Sequence, residues 1–230
     1  MKHYAIVIKD NDISEFGYDR MVKSSVAVGN DFDIERFNAI TPEYVDYMLA
    51  TLGLKWNYPW EGIVQDFATG LTKSAYVTAN PKARIACALS HFVLWDRCLQ
   101  TNEDFLILEH DTMFTKKLDL DFSKTKLDII GINNPLGATR KASMYYDTIL
   151  QNQNLFQLTP KIDSDNIPQG LAGNSAYVMK PKGAEHMINL VRRYGLWPND
   201  AIMCRQLVPM LGVTREFFTT VGNMRSTTTR

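Results

Sequence analysis

Glu109 and Asp111, with His110 between them, close an apolar run: the chain reads ILEHDTMF over 107–114. Carboxylates at a strand end are oxygen donors suited to a hard divalent cation. Magnesium and manganese take few protein ligands and leave positions open for phosphate oxygens. A cation held there neutralises a departing diphosphate. His110 adds an imidazole that can ligate when neutral. The plain reading of the same triplet is a turn whose polar groups are solvated or cap the strand. Asp200, in WPND (197–200), is a carboxylate able to take a proton from a hydroxyl; it is equally a helix N-cap or first-turn residue after Pro198. Ser90 and His91 adjoin, but no acidic partner stands at a useful spacing, which argues against a Ser-His-Asp hydrolase. His91 alone reads as a satisfied structural histidine.

The elements that must position these residues follow from periodicity. YAIVI (4–8) reads as a buried strand, 15–27 as a helix, and DFDIERFNAI (31–40) as a strand running into a loop. TPEYVDYMLATLG (41–53) has Thr41 as cap, Pro42 at the first helical position and Gly53 at the end. Residues 54–80 read as a loop-rich insert. Asn80 caps and Pro81 opens a helix over 80–100, with Ile85, Leu89, Phe92 and Leu99 near one face. Strands follow at 104–111, 127–133 and 174–180, helices at 181–194 and 199–210, and a strand or extended tail at 213–221. Strands alternating with helices argue for an α/β sheet covered on both faces. In such sheets ligands gather at the carboxyl ends of strands, where Glu109 and Asp111 stand.

The bulk numbers narrow the classes. The 230 residues suit one domain, 1–230, and 45% hydrophobic content is enough to fill a core. The formal charge is zero, which gives no general pull toward DNA or acidic membranes. Cys87, Cys98 and Cys204 form no CxxC pair, so neither a zinc knuckle nor a disulfide framework is indicated. Reduced thiols in a cytoplasmic protein are the simplest expectation, with Cys87 and Cys98 packed. No apolar run is long enough for a signal peptide or a membrane span, so no integral membrane contact is expected.

The segment ARIACALSHFVLWDRCLQTNEDFLILEHDTMF resembles glycosyltransferase family 25, which includes lipopolysaccharide galactosyltransferases and collagen sugar transferases. The family pattern is a helix with G-C-x-x-S-H and a following Trp, then a strand ending L-E-D-D; here these read ACALSH with Trp95, and LEHD. ERFNAI (35–40), GNSAYVMKPKGAEHMI (173–188) and WPND (197–200) resemble further family blocks, in family order. His110 stands where the family has an acidic residue, and Ala86 where it has glycine.

The resemblance implies a single GT-A-like, Rossmann-type α/β domain, a nucleotide-sugar donor (most often a UDP-sugar) and Mn2+ or Mg2+. Asp111 would contact the metal, with His110 as a further ligand. Glu109 would contact the donor ribose or a metal-bound water, unless it points to the opposite strand face. Asp200 would be the base of an inverting transfer. Ser90, His91, Asn174 and Ser175 would shape the donor pocket, and Gly170 and Gly173 would allow close backbone approach. Asn133 and Asn134 either touch a ligand or cap a loop. Trp56, Tyr58 and Trp60 either stack on a sugar or form a satellite core. Basic residues at 139–143, 191–195, Arg215, Arg225 and Arg230 either bind phosphate or are solvated. The acceptor would be a glycan or a hydroxymethylated base of viral DNA. The alternatives are a non-catalytic nucleotide-sugar binder and a metal-dependent phosphohydrolase.

Overall fold

A computed structural model describes residues 1–137 and 141–222. The chain begins with β1 (Lys2–Val7), α1 (Asp12–Ala27), β2 (Glu35–Asn38) and α2 (Val45–Leu52). Asn11 caps α1 by accepting from Ser14 N at 3.0 Å, which starts that helix one turn earlier than apolar spacing indicates. The insert is not all loop: β3 (Ile63–Asp66) and β4 (Leu71–Ser74) pair as an antiparallel hairpin. Next come α3 (Pro81–Thr101), β5 (Phe105–Glu109), β6 (Thr112–Phe114) and β7 (Ile129–Gly131). Two elements without a sequence expectation follow, α4 (Ala142–Gln151) and β8 (Phe156–Leu158), then β9 (Ala176–Met179) and α5 (Pro181–Tyr194). The expected 199–210 helix is a single turn, α6 (Asn199–Ile202). Its continuation is diverted, because Gly170 and Cys204 form a β-bridge and Arg205 N donates to Gln169 O at 2.9 Å. The expected last strand is two: β10 (Leu211–Thr214) and β11 (Thr219–Val221).

Seven strands form one sheet in the order β2-β1-β5-β9-β7-β10-β8. Five share one direction, while β9 and β8 run against it. The sheet is thus mostly parallel, and helices cover both faces, as the α/β reading required.

Period-two alternation divides the central strands between two cores. Tyr4 and Ile6 of β1, Phe105 and Ile107 of β5, and Tyr177 and Met179 of β9 face the core shared with α2, α3 and α5. Ala5 and Val7, Leu106 and Leu108, and Ala176 and Val178 face the other core, which holds Met21 of α1. Extending the first series by two places Glu109 on the α3 side of the sheet. Its register partner is Ile6, a residue of that same core.

Candidate functional site

The carboxyl ends of β1 and β5 and the segment entering β9 border a cavity of about 710 Å3. One face of α3 lines it through Ala83, Arg84, Cys87, Ser90 and His91, spacings of three and four that bring successive turns to the same side. Glu109, His110 and Asp111 line it together. Glu109 therefore does not face away from Asp111: the strand ends at Glu109, and the chain turns through His110 and Asp111 before β6.

His91 is fully buried and reaches Glu109 Oε1 from Nε2 at 3.2 Å, so it does have an acidic partner. That partner comes from the neighbouring strand, which sequence spacing does not reveal. On its other side His91 Nδ1 lies 2.7 Å from the Tyr177 hydroxyl, which accepts from Trp95 Nε1 at 2.9 Å. Burial, the largest single influence, would raise the Glu109 carboxyl, but the His91 hydrogen bond and the nearby charges of His91, His110 and Arg84 together outweigh it and hold the group below its usual value. Burial and then the charge of Glu109 push Asp111 up to about 7. Burial lowers His110, leaving a neutral ring that can ligate.

Several polar atoms on the cavity wall have no hydrogen-bond partner: Asp111 Oδ1, both amide atoms of Asn174, Ser175 Oγ and Asp200 Oδ1. Asn174 and Ser175 are buried, so groups of this kind normally find a partner. Asp200 sits in the first turn of α6, and no side chain caps that helix. Burial raises its carboxyl, with the charge of Glu109 adding and Arg84 opposing, and the Tyr76 hydroxyl hydrogen-bonds it. Gly170 lets the preceding loop close on this turn. A Cβ there would stand 2.7 Å from Met203 O and 2.8 Å from Asp200 O.

The profile of glycosyltransferase family 25, described as "LPS biosynthesis protein", matches residues 20–203. The chain belongs to glycosyltransferase family 25. A Haemophilus influenzae (strain Rd) protein named "Putative glycosyltransferase" is 28% identical over 155 residues, covering 60% of this family member and 50% of that protein. The chain thus spans about half the length of the curated relative it matches. The crystal structure of galactosyltransferase LgtC with donor and acceptor sugar analogs superposes with a TM-score of 0.44 at 11% identity, over 91% of this chain and 72% of that one. That likeness is too slight to bear on the site.

For this family member the cation question turns on which donors are free. Asp111 offers a partnerless carboxylate oxygen beside a second carboxylate, a hard donor pair that fits Mn2+ or Mg2+. Among the described residues, Cys87, His91 and Glu109 also bring ligand atoms within 4.8 Å of one another. That softer trio does not suit those ions, because burial pushes the Cys87 thiol well up and keeps it protonated.

The remaining expected residues fall as follows. Ser90 lines the cavity, but its hydroxyl donates to Ala86 O at 2.8 Å and accepts from Ile40 N at 2.9 Å, tying α3 to the loop after β2. Cys98 is buried as expected, whereas Cys87 is half-buried on the cavity wall. Asn133 joins Thr219 at 3.1 Å and Asn134 accepts from Leu136 N at 2.9 Å, both loop ties away from the cavity. Tyr58 packs on Tyr76 and Trp197 within the main core, and Trp56, packed against that core, stacks on the exposed Trp60, so the insert's aromatics extend the main core beside the Asp200 turn and form no separate satellite. Lys141 pairs with Asp163 at 2.6 Å and Arg215 donates to Leu150 O at 3.4 Å. Thr139, Arg140, Arg225 and Arg230 lie outside the described residues. Two residues of the site carry no signal in the motifs above: Arg84, which lines the cavity, and Tyr76, which stands behind it against Arg84 and Asp200. Arg84 lies seven residues before His91 on α3, so helical period alone could have found it. Its guanidinium lies 4.9 Å over the Tyr76 ring and its Nε is buried without a partner.

Proposed function

We propose that this family 25 member is an inverting glycosyltransferase. It moves a sugar from a nucleotide-sugar, a UDP-sugar by family resemblance, to a glycan hydroxyl. One observation carries the reading: the partnerless polar atoms of Asp111, Asn174, Ser175 and Asp200 all border one cavity at the strand ends. That is the arrangement of a site built for a polar ligand.

Asn174 and Ser175 hydrogen-bond the donor. Arg84, the one lysine or arginine among the described cavity residues, pairs with its diphosphate. Asp111 and Glu109, with His110 beside them, would hold Mn2+ or Mg2+, which when bound supplies charge neutralisation of the diphosphate. Asp200 takes the proton of the acceptor hydroxyl as that oxygen attacks the anomeric carbon. The bond from that carbon to the phosphate oxygen breaks, and its electron pair leaves with the nucleoside diphosphate. A raised carboxyl is the better base for this step.

The formal charge of zero offers no track for duplex phosphates, which favours the glycan over a DNA base as acceptor. Among the described residues no helix is long and apolar enough to cross a membrane.

Thermal shift with a panel of nucleotide-sugars, with and without Mn2+, tests the reading. A donor-selective rise that needs the cation and disappears in Asp111→Asn is expected. A rise with bare nucleotide only would instead indicate a binder, and free phosphate released without acceptor a hydrolase.

A further inference from the structure

His91 Nε2 and Nδ1 each have one neighbour, and that pairing fixes where the ring proton sits. Trp95 Nε1 can only donate, and it donates to Tyr177 Oη. Tyr177 Oη then has one proton to give, and His91 Nδ1 stands 2.7 Å away. If Nδ1 carried the ring proton, the Tyr177 hydroxyl hydrogen would lack an acceptor at a site with no solvent exposure. The Nε2 lone pair would also face the Glu109 carboxylate at 3.2 Å. Both faults vanish when Tyr177 donates to Nδ1 and Nε2–H donates to Glu109.

The chain spans three elements that the fold holds rigidly. Trp95 and His91 are four apart on α3 and share a face. Tyr177 is on β9, opposite Ile107 of β5, two residues before Glu109 on the same face. Trp95, His91 and Tyr177 are all essentially without solvent exposure, and the Tyr177 and His91 rings stack at 5.8 Å.

We propose that Trp95, Tyr177 and His91 are positioning residues: a buried hydrogen-bond chain that fixes the Nε2–H form of His91 and anchors Oε1 of Glu109, leaving Oε2 for the ligand. The role in ligand binding rests on reading the cavity as the donor site; the tautomer does not. Partners standing behind a ligating group commonly change affinity on the order of 10–100-fold when removed.

Nitrogen-15 NMR of the histidine side chains tests the tautomer on the full chain, with His91 assigned by the signal lost in His91→Gln. Wild type should show protonated Nε2 and an accepting Nδ1 before any donor is added. Tyr177→Phe should mix or reverse the tautomers, weaken nucleotide-sugar binding ~10–100-fold and raise the donor KM more than it lowers kcat. His91→Gln should rescue, because its carbonyl accepts from Tyr177 while its amide donates to Glu109; His91→Leu should not. Should Tyr177→Phe fail to fold by amide dispersion, the wild-type tautomer and the Gln/Leu pair still decide. A wild-type Nδ1–H form, or Gln and Leu variants of equal affinity, overturns the proposal. If wild type binds no nucleotide-sugar, the donor-site reading fails while the tautomer result stands on its own.

Discussion

Replacing Lys73 with methionine tests how the insert supports the Asp200 turn. Lys73 lies on β4 with 3% exposure. Its Nζ pairs with Asp66 at 2.7 Å, donates to Asn57 O at 2.8 Å and lies 3.8 Å from the ring centroid of Trp197, three residues before Asp200. Methionine keeps most of the stem's packing and removes the charge. The Asp66 side chain, 11% exposed, then keeps a carboxylate with no counter-charge. Breaking a buried pair by deleting one partner costs ~3–5 kcal/mol. The lost cation–π contact is worth about 2 kcal/mol when desolvated. The two overlap and do not add, so the expected loss is ~3–5 kcal/mol, a large share of an ordinary domain's stability. Urea unfolding at pH 7 measures it, and Lys73→Met with Asp66→Asn should recover most of it. The pH dependence has a definite sign. Burial, the largest single influence, would raise Asp66, but the hydrogen bond and charge of Lys73, with the Ala68 amide and the Thr69 hydroxyl, together outweigh it and lower the folded-state value. The pair's contribution is therefore full above the unfolded pKa of about 3.9 and is lost as pH falls through the lower folded value. The gap between wild type and Lys73→Met should close below about pH 4. A loss under ~1 kcal/mol at pH 7, the size of a screened surface pair, or a gap equal at pH 3 and pH 7 would refute the reasoning.

Three further outcomes follow from the site. Asp200→Ala should leave donor binding intact and lower turnover ~100–10,000-fold, read by nucleoside diphosphate release; preserved turnover would reduce Asp200 to a first-turn residue. Arg84→Met should weaken nucleotide-sugar binding roughly 10–100-fold, the loss of a charged hydrogen bond, and should weaken binding of the bare sugar far less by calorimetry. Gly170→Ala should cost ~1–3 kcal/mol by urea unfolding, because its Cβ would press on the carbonyls of Met203 and Asp200, and turnover should fall with it; an unchanged midpoint would show that the loop yields.

What the sequence disclosed depended on the range of the forces involved. Caps and apolar runs are local, so Asn80 with Pro81 placed α3, and the run before Glu109 placed β5. The 199–210 segment stops short of the helix its local propensity favours because a long-range bridge, Gly170 to Cys204, competes there. The hairpin in the insert leaves no period-two signal, since β3 is largely exposed and shows no alternation. In the site, the acid pair was legible from chain spacing, and Arg84 was available to a helical-period argument. The His91–Glu109 contact depends on register between β5 and the helix above it, which adjacency along the chain does not encode. Tyr76 is joined to Asp200 only by folding of the insert against the Trp197 segment.

The cavity's carboxylates also differ in a way that their types alone do not supply. Glu109 is anchored by a donor, and its carboxyl is held below its usual value. Asp111 and Asp200 are pushed up, each with burial as the leading cause and Glu109's charge contributing, and each keeps one oxygen without a partner. One fixed anion thus raises the cost of ionising the other two. For Asp111, a cation would remove that cost, so its discomfort in the free protein is stabilisation held for the ligand-bound state. For Asp200, the same field favours taking up a proton, the direction in which a general base must work. Neutralising Glu109 as Gln should accordingly relax both groups at once and weaken cation binding and proton abstraction together. Separate, unlinked effects at Asp111 and Asp200 would show that the three carboxylates do not share one field.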